Sequence, residues 1–176
     1  MVDIRAATPD DAARIAAIYA HHVAHGTATF DTVPLSAAAV AERIAAVAAR
    51  GCPFLVAEVD DRLVGYAYAA PFRDRPAYAG TVEDSIYLDP TFTGRGIGKV
   101  LLLALIDTCE AAGFRQMIAV AGGGEPASVA VHAACGFVHA GRMQSVGRKF
   151  GRWLDTVYMQ RTLGAGDSAP PDREPA

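Results

Sequence analysis

The sequence predicts a single α/β (α+β) domain in which about four helices flank a mixed sheet, and three observations predict it. Short β-rich runs are interleaved with amphipathic helical segments. One β-rich run passes through a glycine-rich loop straight into a long apolar helix. The chain is 176 residues long with 52% hydrophobic content, enough for one core without staples.

The elements follow in order. Residues 2–6 alternate as a strand does and stop at Thr8-Pro9-Asp10-Asp11. There Thr8 offers a cap, Pro9 suits a first turn, and two acids sit at the positive end of a helix dipole. The helix expected from there to about residue 24 sets Ile15, Ile18, Tyr19 and His22 on one face, ready to pack on a sheet. Residues 26–34 read as a loop, and Ser36 caps a second amphipathic helix to about Arg50, stopped by Gly51. Residues 54–59, 63–70 and 81–88 read as strands, the first two joined by a turn at Asp60-Asp61. Asp89-Pro90 closes the third strand, and a helix is expected over 99–112 after the glycine-rich loop. A strand over 115–121, a Gly122-Gly123-Gly124 turn, a short helix over 126–134 and strands near 137–146 and 153–161 complete a domain of residues 1–163. Residues 164–176, rich in Pro, Gly and Asp with no large apolar side chain, are expected to be disordered.

Composition excludes several classes. Sixteen Lys and Arg against 19 Asp and Glu leave a net charge of −3, so no general field attracts nucleic acid and any anion site must be local. The longest strongly apolar run, residues 100–106, is far short of the roughly 20 residues of a membrane-spanning helix. Asp3, Asp10 and Asp11 stand where a secretion signal would carry basic and apolar residues. Cys52, Cys109 and Cys135 are odd in number and form no Cys-x-x-Cys pair, so reduced, buried thiols in a cytoplasmic protein are expected. His21, His22 and His25 invite a metal reading, but no further ligand motif accompanies them and no metal is expected.

The chemistry concentrates at Thr93-Gly94-Arg95-Gly96-Ile97-Gly98-Lys99. Glycines in alternate positions at a strand-to-helix junction let backbone N–H groups approach an anion at a helix N-terminus. The dinucleotide fingerprint fails here because its last glycine is missing from either start, and the Walker A motif fails because Val100 follows Gly98-Lys99. A phosphate cradle remains, beside the plainer reading of a tight turn with glycines chosen for backbone angles.

At these residues the sequence resembles the GCN5-related N-acetyltransferases (GNAT), whose Gln/Arg-x-x-Gly-x-Gly/Ala loop wraps the pyrophosphate of acetyl-CoA. The loop departs from that pattern only at Thr93. The resemblance spans roughly residues 3–163 and narrows to the phosphinothricin and methionine sulfoximine acetyltransferase branch. Four segments carry the narrowing: Phe54-Leu55-Val56-Ala57-Glu58, residues 80–87, the glycine loop, and residues 146–155, the most specific of the four. The resemblance implies a mostly antiparallel sheet with a splayed parallel central strand pair. It implies Glu83 as general base, backbone N–H groups around Tyr87, Leu88 and Asp89 for the oxyanion, and Thr93 to Lys99 as the pyrophosphate cradle. His132 takes the position of the family's leaving-group acid, and Ser128, which shares its helical face, is expected at the cofactor. Read without the resemblance, Glu83 is equally an edge glutamate and His132 a core histidine bonded to a carbonyl. Asp84 points to the opposite face from Glu83 and cannot serve the same site without a bulge. Glu125 departs from the branch, which usually has Asn there.

Arg73, Arg75 and Tyr78 match the branch's substrate-binding positions, Phe30 resembles an aromatic wall of the pocket, and Lys149 with Trp153 is expected to close it, in a homodimer, although Trp153 reads equally as plain core. Arginine suits bidentate anion recognition. The expected function is acetyl-CoA-dependent acetylation of the α-amine of a small anionic or polar amino acid such as phosphinothricin or methionine sulfoximine. Two alternatives stay open: acetylation of a protein N-terminus or polyamine, with Arg73 and Arg75 facing solvent, and a non-catalytic CoA-binding sensor.

Overall fold

In the computed structural model, which describes residues 1–171, Val2–Ala6 forms β1 and pairs antiparallel with β2 (Phe54–Val59). Two helices intervene. Thr8 and Asp11 bond each other's backbones reciprocally around a 3-10 turn at Pro9–Asp11, which runs into α1 (Ala12–His25). The Ser36 hydroxyl accepts the Ala39 N–H at 3.2 Å and starts α2 (Ala37–Ala49). β2 turns into β3 (Arg62–Pro71) through Asp60 and Asp61, whose φ angles of 51° and 57° are what a two-residue hairpin requires.

β4 (Thr81–Leu88), α3 (Ile97–Ala111), β5 (Gln116–Gly122), α4 (Pro126–Ala134), β6 (Val138–Lys149) and β7 (Arg152–Thr162) follow. The sheet order is β1-β2-β3-β4-β5-β7-β6, with β4 and β5 parallel and the other neighbours antiparallel. A parallel pair needs a crossover, and α3 supplies it.

Alternation along β4 sorts the helices into two layers. Tyr87 meets the Tyr19 ring of α1 edge-on at 5.2 Å and lies beside Tyr66 of β3 at 5.4 Å. On the other face Leu88 abuts Gly98 of α3, and Asp84 bonds His132 of α4. Leu101, Leu102, Leu105 and Ile106 are fully buried with Val56, Val64, Val82 and Met117, so the apolar run of α3 is core, Val100 alone of that run being exposed. The three cysteines are free and buried. Among the described residues no helix is long and apolar enough to cross a membrane.

Boundaries differ from expectation where glycines act. α3 begins at Ile97 rather than 99, because Gly96 takes a left-handed φ of 78° and ends the loop there. β6 continues to Lys149, since Phe150 and Gly151, at φ 51° and 73°, make the turn to β7. Residues 164–171, expected to be disordered, form turns in which Gly166 bonds Leu163, Ser168 bonds Ala165, and Arg115 donates to the Pro170 carbonyl at 3.0 Å. The rest of that segment, 172–176, lies outside the described residues.

Candidate active site

β4 and β5 pair only as far as Asp84↔Ala119, although β4 continues to Leu88 and β5 to Gly122. The strands part beyond that point. A cavity of about 840 Å³ fills the split, reached from β4 by Glu83 to Leu88, from the α1–α2 loop by Gly26 to Phe30, and from α3 and α4 by Gly98 and Ser128. Asp89 N–H bonds the Val64 carbonyl on β3 at 2.8 Å, and backbone groups alternate edges along a strand. Of the three expected oxyanion donors, Tyr87 and Asp89 therefore turn toward β3, and Leu88 turns toward the split. Ile86, which the sequence reading did not name, shares that edge. His22, also missed, donates from Nε2 to the Leu88 carbonyl at 2.7 Å and fixes the peptide next to the open N–H.

The loop from Thr93 is shaped for backbone exposure. Gly94 and Gly96 have φ of 73° and 78°, and a Cβ on either would meet nothing within 4 Å, so glycine serves the backbone angle there and not close packing. Among the described residues no side chain caps α3; Lys99 N–H turns back to the Gly96 carbonyl at 3.1 Å, and the N–H groups of Ile97 and Gly98 stay open to an anion. Thr93, Gly94, Gly96, Gly98 and Lys99 line the cavity. Arg95 does not: its guanidinium donates to the Thr91 carbonyl at 3.0 Å and lies over the Phe92 ring. The Ile97 side chain is buried, which leaves its amide as the group it can offer to an anion. Asp89 fastens this loop instead of binding through its N–H: its carboxylate accepts from Arg14, from Arg62 at 3.0 Å and from Thr91 N–H at 2.9 Å. Although burial opposes ionisation, those bonds hold Asp89 down at about 2. Glu125 caps α4 by accepting the Ala127 N–H at 3.3 Å, which gives its carboxylate a use where the branch has Asn.

Glu83 lines the cavity half-buried, and burial first, then the charge of Asp84, raises its pKa above the ordinary glutamate value, while Arg73 partly opposes the shift. That is the environment of a base. Asp84 also lines the cavity, although the strand is regular across residues 82–88; the cavity passes through the split and so touches both faces of β4. The expectation that Asp84 stands apart from the site is corrected. Its Oδ2 lies 2.9 Å from His132 Nε2, and the other ring nitrogen, Nδ1, lies 2.7 Å from the Ser128 carbonyl. Both ring nitrogens of the expected acid are thus engaged, and Ser128 contributes its carbonyl at closer range than its hydroxyl, which lies 3.5 Å away.

The substrate-side residues separate into two groups. Phe30 lines the cavity, with its ring where a Cβ on Gly147 would come within 2.1 Å and one on Gly122 within 3.1 Å, so those two glycines make room for the wall. Lys149 does not line it. Only 5% exposed, its ammonium donates to the Gly26 and Thr29 carbonyls, each at 2.9 Å, and so bolts the α1–α2 loop to β6. A buried ammonium needs such acceptors, and the expected direct substrate contact gives way to positioning. Arg73, Arg75 and Tyr78 are exposed on the segment between β3 and β4, outside the cavity lining. Arg73 folds over the Phe72 ring and donates to the Phe72 carbonyl at 2.8 Å. Trp153, 61% exposed, is not core. Among the described residues no group of three or more His, Cys, Asp or Glu could hold a metal ion.

Comparison with known proteins agrees with this geometry. The pattern of the acetyltransferase (GNAT) domain matches residues 4–158. A phosphinothricin N-acetyltransferase of Alcaligenes faecalis is 52% identical over 96% of this chain and 86% of its own. An L-methionine sulfoximine/L-methionine sulfone acetyltransferase of Pseudomonas paraeruginosa is 39% identical over 95% of this chain and 98% of its own. The crystal structure of a GNAT superfamily phosphinothricin acetyltransferase from Sinorhizobium meliloti, in complex with AcCoA, superposes with a TM-score of 0.95 at 47% identity, covering 98% of this chain and 94% of that one. With its split parallel pair, uncapped glycine loop and matched sequence, the chain belongs to the GNAT acetyltransferase family and is an N-acetyltransferase.

Proposed function

We propose that the cavity takes acetyl-CoA and a small anionic or polar amino acid of the phosphinothricin or methionine sulfoximine type, and that it acetylates the α-amine directly. The observation that carries this reading is the placement of Glu83 in the same split that the uncapped N-terminus of α3 opens onto. The first-turn amides of α3 fit a pyrophosphate, and acetyl-CoA supplies the activated acetyl group. Glu83 takes the ammonium proton, and the freed lone pair attacks the thioester carbonyl. The Leu88 N–H, aimed into the split, holds the oxygen as its charge develops, and the carbon–sulfur bond then breaks, the thiolate departing and taking up the second proton that the acylated nitrogen releases. Arg73, whose charge acts on Glu83, and the exposed Arg75 on the same segment are the cations that meet the anionic end of the substrate.

The exposed apolar residues Val146, Phe150 and Trp153 on the β6–β7 hairpin support a homodimer, and the three reduced thiols support a cytoplasmic location. One observation favours acetylation of a protein N-terminus as second reading: Arg73 and Arg75 face solvent, as that reading expected. Two arginines on the segment between β3 and β4 disfavour a cationic polyamine.

A thiol-release assay with acetyl-CoA and a panel of phosphinothricin, methionine sulfoximine, methionine sulfone, a polyamine and an N-terminal peptide tests the reading. Turnover is expected on the amino acids and little on the polyamine. Turnover on the peptide alone would replace the substrate class, and no turnover on any member with acetyl-CoA bound would leave a CoA sensor.

A further inference from the structure

Asp84 and His132 form a pair that the reaction scheme above leaves unused. Asp84 is 6% exposed and His132 3%. Asp84 stands at the last paired position before β4 and β5 part, and both residues line the cavity. The partners of the ring decide its protonation. A carbonyl oxygen has no proton to give, so the 2.7 Å contact with Ser128 requires a hydrogen on Nδ1. The 2.9 Å contact between Nε2 and a carboxylate is satisfied with a hydrogen on Nε2 as well, since an ordinary imidazole holds a proton more tightly than an ordinary carboxylate. His132 also lies in the last turn of α4, where the helix dipole favours a cation. The Phe137 ring packs edge-on against the imidazole at 4.9 Å.

We propose that Asp84 is a positioning residue that holds His132 as a doubly protonated imidazolium at the apex of the split, where it acts as a fixed positive charge toward the departing thiolate. No proton moves at the ring. This rests on the acetyl-transfer reading above for its consequence, but not for the protonation state itself. Burial alone would lower the pKa of His132, but the bond and charge of Asp84 with the Ser128 carbonyl raise it above the ordinary histidine value. The other titratable groups on the elements packed around the pair are Lys99 and Cys109 on α3, Glu125 on α4, Cys135 just past its end, Glu83 on β4 and Arg161 on β7, and none of them bonds the ring. Among the described residues the second carboxylate oxygen of Asp84, Oδ1, is buried without a hydrogen-bond partner, so His132 is the one side chain there that bonds this carboxylate.

The first measurement needs no variant: nitrogen-15 NMR of the His132 ring in the free protein at pH 8. Two protonated nitrogens are expected, and one bare nitrogen would overturn the proposal. The second compares Asp84→Asn with wild type from pH 7 to 9. The variant is expected to fold and bind acetyl-CoA, to show one bare ring nitrogen, and to lose about tenfold or more in kcat near pH 7. Its kcat relative to wild type should climb toward one as pH rises through the wild-type ring's own NMR titration. A folded variant that binds acetyl-CoA yet keeps a pH-independent ratio to wild type would overturn the positioning role. Failure of the acetyl-transfer reading would appear instead as wild type lacking turnover, with the NMR result intact.

Discussion

Glu83 shows how a residue's role depends on what surrounds it. A half-buried carboxylate without a side-chain partner is a poor contribution to stability and a good base, because the same desolvation that disfavours its charge raises its proton affinity. Glu83→Gln should retain acetyl-CoA binding and lose about 10²- to 10⁴-fold in kcat. Since the raised pKa places the acid limb of wild-type activity above the ordinary glutamate range, that limb should vanish in the variant. The variant should also melt slightly higher, since an acid whose folded pKa is raised destabilises the protein wherever it is ionised. A Gln variant with wild-type kcat across that limb would move the base elsewhere. Lys149 is the opposite case, a charge whose work is mechanical. Lys149→Met keeps the stem but removes both carbonyl contacts, so the α1–α2 loop and Phe30 should loosen. KM for the amino acid should rise several-fold while the dissociation constant for acetyl-CoA, read by calorimetry, stays put. Equal losses on both would show a general fold defect.

The N-terminus of α3 is where an element becomes a site. Gly96 ends the loop in a left-handed conformation, and α3 starts uncapped immediately after it. A β-branched residue there is strained by about 1–3 kcal/mol and would turn the first-turn amides away from the cavity. Gly96→Val should therefore abolish the rise in melting temperature that saturating acetyl-CoA gives the wild type. An undiminished shift in a folded variant would place the pyrophosphate elsewhere. The loop ahead of it is held by Asp89, which gathers Arg14 from α1, Arg62 from β3 and Thr91 from the loop itself, so the cradle is tied to both layers of the domain. Glycine spacing made the backbone shape of this loop legible in the sequence. Nothing in the spacing said that Arg95 would fold onto Phe92, because that choice belongs to a neighbour ring and not to the loop.

On the scale of the molecule, the β6–β7 hairpin stands out. Most of β6 is exposed, and Val138, Met143, Val146, Phe150 and Trp153 expose apolar surface along the hairpin. If a second copy covers that face, Trp153→Asp should shift the protein from dimer to monomer in light scattering and lower activity on the amino acid, as a charge desolvates poorly in an apolar interface. A monomeric wild type would refute the dimer. The arginines proposed for the substrate bear on the same point. Arg73 and Arg75 lie exposed on a loop whose conformation no periodicity fixes, outside the lining of the cavity.

Local chemistry determined what the sequence alone made readable. Caps at Thr8 and Ser36, the paired aspartates of the first hairpin, the apolar run of α3 and the glycine loop each act through neighbours a few residues away, so their outcomes follow from order along the chain. Tertiary structure decided the rest. Only the parting of β4 from β5 let one cavity touch both faces of a regular strand, bringing Asp84 to a site that alternation alone had denied it. Only a contact across 48 positions could engage both nitrogens of His132, and only one across 120 positions could turn Lys149 from a ligand-facing charge into the bolt of a loop. Such contacts have no local signature, because they exist only once the sheet has set the distance between the two chain segments.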